Sequence, residues 1–520
     1  MTNIRDHLET LDAADDLVEV SRQTHWADTA AAVGAEAADA NGPAVLLTDT
    51  GGAARCVSGA LGGPDRLAVR SREPWSRIGS ALDLGYDADY LTVLDALVAA
   101  RGGGGDPQTA EMIASETDTD LRSLGVPAIG NADVPVVTLG LASVPASPEA
   151  GSGSVEPESS GSTVEPISHE DSSVEESDLD GDLIDVDDVR WLPVRGSIHG
   201  SDKLRLSVPN DALKATAEGS PLSIVLGAPP AALIGATMGW VGESHIAAPP
   251  RVASALGSVP VAPTPTGAVP AESEIVVEAE ITGEDRPPAG PRSPWEDAVT
   301  TATVNARVSR VLTRPDPVIP FSPTGAPMSD GRSLLSITES ARLYGRVNNY
   351  WGVTPVEWLA LPAEAGLGVC LVASDTLYAG FEWQLANTLF SFSRLFDKVV
   401  VLDTETLPMD LGRAFDDIWV KAHPANDWEF SDPEAPAASA THYRQDGSTG
   451  SNVYVDAAWD PRWDEEYIAP RVTFETTYPA DLRESVRANW QLLGFDHGPE
   501  YEPERGHERR DLDTESGGDE

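Results

Sequence analysis

At 520 residues the chain is too long for one ordinary hydrophobic core, and at roughly 150 residues per domain it is expected to hold about three. Its 84 acidic against 35 basic residues give a formal net charge of −49, which leaves no basic stripe to displace counterions and argues against nucleic acid as a partner. The 41% of hydrophobic residues suffices for globular cores, while no apolar run reaches the roughly 18 to 20 residues that would cross a bilayer.

Only four of the basic residues are lysines, Lys203, Lys214, Lys398 and Lys421. Dense carboxylate with little lysine fits a surface kept hydrated in molar salt, where the Debye length falls to about 3 Å, so the charge is read as habitat and not as substrate. Cys56 and Cys370 are far apart in apolar surroundings and are expected to be buried free thiols. The opening MTNIRDHLETLDAADD has helical spacing and lacks the features of a signal peptide, so a cytoplasmic location is expected.

In chain order, RDHLETLDAADDL, DTAAAVGAEAADA and YLTVLDALVAA are predicted helices that alternate with short apolar runs such as PAVLLTD, an α/β pattern for residues 1–125. No Lys or Arg occurs between Arg122 and Arg190, and residues 145–182 are mostly Ser, Glu, Asp, Gly and Pro. That stretch cannot offset its ordering entropy and reads as a disordered acidic insertion. The β-rich runs on either side of it, PVVTLGLASV and DDVRWLPVRGSI, are expected to be neighbouring strands. PLSIVLGAPPAALIGATM reads as strand, turn and apolar helix, and SEIVVEAEIT and TATVNARVSRVLT as strands, giving a β-rich middle domain over 126–325. GVCLVAS and KVVVLDTE flank the helix-like FEWQLANTLFSFSRLF, the pattern of a βαβ crossover, within an α/β domain over 326–495. Its last helix, YPADLRESVRANWQLLGF, puts Leu482, Val486, Trp490 and Leu493 on one face, and 496–520 forms a charged tail. GxGxxG, a P-loop lysine, HExxH, CxxC and GxSxG are all absent.

Six blocks in a fixed order carry a resemblance. PLSIVLGAPPAALIGATM, SEIVVEAEITGEDRPPAGP, RPDPVIPFSPTGAPMSD, LALPAEAGLGVCLVAS, FDKVVVLDTE and YPADLRESVRANWQLLGF resemble successive segments of the UbiD family of prenylated-flavin decarboxylases, spread from Pro221 to Phe495. The fold this implies is an N-terminal α/β domain, a central split β-barrel of the flavin-binding type, and a C-terminal α/β domain. The implied activity is that of a carboxy-lyase on an aromatic or α,β-unsaturated acid, with prenylated FMN carrying the hard chemistry. Homo-oligomers, or a paralogue as partner, are implied as well, with the helix from Ala480 to Phe495 as the contact.

Carried over residue by residue, the resemblance puts RWLPVRGSIHGSDK on the family's catalytic strand. Arg195 falls on the arginine beside the flavin, Pro193 and Val194 on its flavin-contacting neighbours, and Lys203 on a later basic position. The proton-transfer carboxylate falls on Pro294 without a gap, and Glu296 or Asp297 fills the role with a two-residue slip; Glu296 is taken as the catalytic acid. The family's GSK lysine reads Asn452, with Asp456 retained, and the arginine of its GRPP motif reads Ala326. The metal position reads Arg190, whose guanidinium has no free lone pair for a cation, and the histidine ligand falls near Leu213. Glu243 remains as a metal ligand, so manganese is in doubt, with potassium or no metal as alternatives. Two readings therefore stand: an active carboxy-lyase with an altered site, or a catalytically inactive scaffold that kept the fold.

Overall fold

The structure, a computed structural model, describes residues 3–63, 73–117, 120–129, 134–145, 186–208, 218–238, 247–284, 302–323, 328–351, 356–375, 378, 380–393, 395–406, 408–430, 451–459, 468, 472 and 474–494. Two compact units divide the chain, Met1–Pro461 and Arg462–Glu520. The acidic insertion lies outside the described residues.

The first unit begins with α1 (Ile4–Ala13), capped by Asn3, whose side chain accepts from the Asp6 amide at 2.9 Å. Its buried residues Ile4, Leu8 and Leu11 follow the helical repeat. After it come β1 (Leu17–Val20), α2 (Thr29–Asp39), β2 (Ala44–Leu47), β3 (Arg55–Ser58), α3 (Ser76–Ala81) and α4 (Tyr90–Gly103). The predicted helices of this region are therefore present. A short β4 (Ser115–Glu116) follows.

The middle of the chain contributes β5 (Val136–Pro145), β6 (Val189–His199), β7 (Lys203–Val208) and β8 (Pro221–Leu226). Next are α5 (Pro230–Thr237), α6 (Pro249–Gly257), the antiparallel hairpin β9 (Val261–Thr264) and β10 (Gly267–Pro270), β11 (Ile275–Glu284) and β12 (Ala302–Thr313). Strands β11, β8, β5, β6, β7 and β12 are each antiparallel to their neighbours, and β12 pairs back onto β11, so six strands close a barrel. Closure leaves no open edge among them. Inward residues such as Leu192, Val194, Leu206, Ile224 and Val277 form one buried cluster. Outward residues of the same strands, Leu141, Trp191, Val225 and Val276, join a second cluster with α4, α5 and α6. This is the period-two alternation of a strand with both faces packed.

The fourth strand of the first sheet is β13 (Val318–Pro320), which runs parallel to β3 in the order β1-β2-β3-β13. It lies in the segment read from sequence as the end of the middle domain. Conversely β4, from the first segment, pairs with the barrel strand β12. Then come α7 (Asp330–Trp351), β14 (Val356–Ala360), β15 (Val369–Ser374), α8 (Phe381–Phe392), β16 (Lys398–Leu402), α9 (Leu411–Lys421), β17 (Trp428–Phe430) and β18 (Val453–Ala457). Strands β15, β16 and β18 are parallel, with β15-α8-β16 the expected crossover, and antiparallel β14 and β17 form the edges. Both cysteines are buried and free.

The second unit contains α10 (Phe474–Thr477) and α11 (Ala480–Ala488). The terminal helix is shorter than predicted, with turns over 489–494, and none of its residues is buried.

His7, on the buried face of α1, has no exposure, and its Nε2 donates to the Ala60 carbonyl at 2.7 Å. Burial, and secondarily the charge of Arg77, hold its pKa down at about 4. A folded pKa below the unfolded one means that the unfolded chain takes the proton first. The histidine's contribution is therefore fully present above about pH 6.5 and is lost as pH falls towards 4, a change of about 3 kcal/mol. Denaturant midpoints at pH 7 and pH 4.5, compared with those of His7→Gln, isolate this from the carboxylates. Equal pH slopes in the two proteins would remove His7 from the account.

Candidate functional site

Strand β6 carries most of the residues singled out from sequence, and its alternation sorts them. Val194 is 2% exposed and turns into the barrel, packed among the interior aliphatics. Pro193 and Arg195 are half-buried and take the outer parity, opposite Leu141 of β5 and Ser207 of β7 respectively. Trp191, two residues earlier on that face, is fully buried and donates its indole N–H to the Ala268 carbonyl of β10 at 3.0 Å. Cover over the outer face thus thins between Trp191 and Arg195, which leaves the guanidinium reachable.

Opposite Arg195, the pairing of β5 slips by one residue between Val137 and Gly140, a β-bulge of the kind that re-aims side chains. Bulge residue Thr138 is pinned by the Ser322 amide, which donates to its hydroxyl at 2.7 Å. Glycine is required on both sides of Arg195. A Cβ at Gly140 would stand 2.9 Å from Cγ1 of both Val137 and Val194, and one at Gly196 would stand 2.7 Å from the Arg205 carbonyl oxygen.

The outer face continues across β6, β7 and β12 as a band of cations. Directly paired positions are Ser197 with Arg205 and Asn305, and His199 with Lys203 and Arg307. Ser197 Oγ lies 2.8 Å from His199 Nε2. Burial, then Arg205 and Arg122, lower the pKa of His199 and favour its neutral form. Gathering these cations on one face of a chain with 84 acidic residues makes a local anion site. The sequence reading missed this band beyond Lys203, although the alternation in KLRLSV, with Leu204 and Leu206 inward, placed Arg205 on the outer face.

Asn452 lies elsewhere, half-buried just before β18 of the C-terminal sheet. Near the far end of that strand, Asp456 has its pKa pushed up to about 7, first by burial and then by Glu382, Asp427 and Asp403. Asp403 is also raised by burial, against the pull of its ion pair with Lys421. Both stand towards the carboxyl ends of parallel strands, where ligands of α/β sheets bind. A cleft lined by Gly34, Gly59, Gly62, Arg77 and Asp330 has room for only about one water and takes no part in the site. Glu296 and Glu243 lie outside the described residues.

A flavin mononucleotide fits this chemistry, since the cationic outer face suits its phosphate and its anionic partners. The family's divalent metal does not fit the donors present. Arg190 replaces one ligand with a permanently charged donor, and among the described residues no group of three or more His, Cys, Asp or Glu could hold a metal ion.

Comparison with known proteins gives three family matches. They are the 3-octaprenyl-4-hydroxybenzoate carboxy-lyase (UbiD) N-terminal domain over residues 8–95, its Rift-related domain over 195–327, and its C-terminal domain over 332–457. A pyrrole-2-carboxylic acid decarboxylase of Pseudomonas aeruginosa is 24% identical over 294 residues, covering 53% of this chain and 59% of that protein, so the chain aligns with about three-fifths of the relative's length. Among solved structures, the UbiD-class enzyme HmfF from Pelotomaculum thermopropionicum in complex with FMN superposes with a TM-score of 0.69 at 17% identity, over 92% of this chain and 99% of that one. Vanillic acid decarboxylase of Sedimentibacter hydroxybenzoicus gives 0.69 at 16% identity, over 95% and 99%. The 3,4-dihydroxybenzoic acid decarboxylase of Enterobacter cloacae gives 0.66 at 14% identity, over 94% and 99%.

Proposed function

Because the chain belongs to the UbiD family, we propose that it is a carboxy-lyase acting on an aromatic or α,β-unsaturated carboxylic acid with prenylated FMN. The observation that carries the reading is Arg195, half-buried on the outer barrel face beside a band of cations in a chain of net charge −49. Support for the substrate class comes from the names of the relatives, whose acids (pyrrole-2-carboxylic, vanillic and 3,4-dihydroxybenzoic) all carry the carboxyl on an unsaturated ring.

The flavin, when bound, supplies the electron sink for loss of CO2. Arg195 holds the substrate carboxylate, its planar fork matching the two oxygens and fixing the scissile bond against the cofactor. Pro193 and Val194 would help hold the flavin, Val194 through its main chain only, because its side chain is committed to the barrel core. Asn452, which lies apart from Arg195 before β18, is assigned to the cofactor's polar end on the resemblance alone. The replacing proton comes from Glu296, a role that rests on carboxyl chemistry and on the resemblance.

Further copies of the chain, or a paralogue, are the macromolecular partners we expect. Trp419, 85% exposed, and Phe430, 67% exposed, support a surface that becomes covered. We place the protein in the cytoplasm of a salt-adapted cell.

The test is expression with a flavin prenyltransferase, followed by anaerobic purification in high salt. About one prenylated flavin per chain by absorption and mass spectrometry, with CO2 released from an aromatic acid, is the expected result. A folded protein without flavin would overturn it and leave the inactive scaffold, which the altered metal position favours.

A further inference from the structure

We propose that Thr138 is a positioning residue for Arg195, held in place by the main chain of Ser322, so that the first sheet and α7 together set the direction of the guanidinium. The proposal rests on the role given to Arg195 above. Thr138 and Leu139 are the residues that stand across from Arg195, because β5 pairs Val137 with Gly196 and Gly140 with Val194. The bulge interrupts the ladder there, so strand pairing alone does not fix the bulged residues. Side-chain packing between the two strands adds little, since the flanking Gly140 and Gly196 bring no side chains to the place. A buried hydrogen bond supplies what is missing. Thr138 is 6% and Ser322 8% exposed, and the Ser322 amide donates to Thr138 Oγ1 at 2.7 Å, where loss of the acceptor would leave a buried N–H unpaired.

Ser322 is itself anchored on both sides. The neighbouring Phe321 amide donates to the Val57 carbonyl of β3 at 2.8 Å, and the Gly331 amide, in the first turn of α7, donates to Ser322 Oγ at 3.2 Å. Asp330, which opens α7 and is buried, accepts from the amides of Gly59 at 2.8 Å, Leu61 at 2.5 Å and Gly62 at 3.0 Å. A run of hydrogen bonds therefore leads from the first sheet and the start of α7 through Ser322 to the bulge, and the bend of the backbone across from Arg195 is set by it. A guanidinium that must meet both carboxylate oxygens in one plane is sensitive to such a bend, since a displacement of about 1 Å can cost on the order of a hundredfold in rate.

The test uses the full chain loaded with prenylated flavin and the best substrate among pyrrole-2-carboxylic, vanillic and 3,4-dihydroxybenzoic acids, with rates normalised to flavin content. Thr138→Val keeps the shape and removes the accepting oxygen, and should lower kcat/KM about ten- to hundredfold. Thr138→Ser keeps the oxygen and should restore the activity. In an Arg195→Ala background the valine substitution should change kcat/KM by less than about twofold, because its effect passes through the guanidinium, whereas a merely structural defect would multiply the loss in both backgrounds. Ser322→Ala, which releases Gly331 and loosens Ser322, serves where Thr138→Val does not fold, and its loss should depend on Arg195 in the same way. Equal losses with and without Arg195, or undiminished kcat/KM in flavin-loaded Thr138→Val, would overturn the proposal and leave the reading of Arg195 intact. A native protein that releases no CO2 from any of the three acids, or an Arg195→Ala protein with undiminished turnover, would remove both.

Discussion

Asp16→Ala is expected to cost about 3–5 kcal/mol of folding stability, because it strands a guanidinium in the core. Arg77 is 3% and Asp16 2% exposed, and they meet through two hydrogen bonds of 2.7 Å. Arg77 also donates to the carbonyls of Gly59 at 2.6 Å, Gly62 at 2.5 Å and Gly42 at 3.0 Å, while Tyr86 donates its hydroxyl to Asp16 at 2.6 Å. Every donor is thus committed, and one arginine ties three loops of the first sheet together. Denaturant unfolding at fixed salt measures the loss. A cost below about 1 kcal/mol, the range of surface pairs, would show that water reaches the site.

Arg195→Ala is expected to lower kcat/KM by about 10²- to 10³-fold, the usual effect of removing one charge-stabilising donor from a reacting centre. Flavin occupancy must be measured in the same samples, so that lost chemistry is told apart from lost cofactor. Arg195→Lys should recover little, since an ammonium cannot grip both carboxylate oxygens in one plane. Undiminished turnover in Arg195→Ala would place the substrate carboxylate elsewhere.

The architecture was legible where local pattern and packing agree. GVCLVAS and KVVVLDTE are uninterrupted apolar runs because β15 and β16 are buried on both faces, and the helix between them could only be a crossover. β5 and β6 could be matched across the acidic insertion because both are dense in strand-forming residues. Closure of the barrel was legible only through the resemblance, since alternation reports which face a residue takes and not which strand lies beside it. Val318–Pro320, at three residues, is too short to show any period. Within the site, Arg195 was found by resemblance. The bulge at Thr138 and the elevated Asp456 depend on register and burial, which a linear reading does not contain.

The placement of β13 also bears on how the chain is made. The first sheet cannot be completed from the first part of the chain, because its fourth strand emerges only after every barrel strand has been synthesised. At a ribosomal rate of about 5–20 residues per second, β3 waits on the order of tens of seconds with the edge that β13 will occupy uncovered. Its short length and the charged Arg55 at its start make that exposed edge a poor template for other chains. A fragment ending before residue 318 should carry the same bare edge permanently, so for nascent protein the hazardous interval is the wait for the barrel, and the last step of the first sheet is also a check that the barrel has been made.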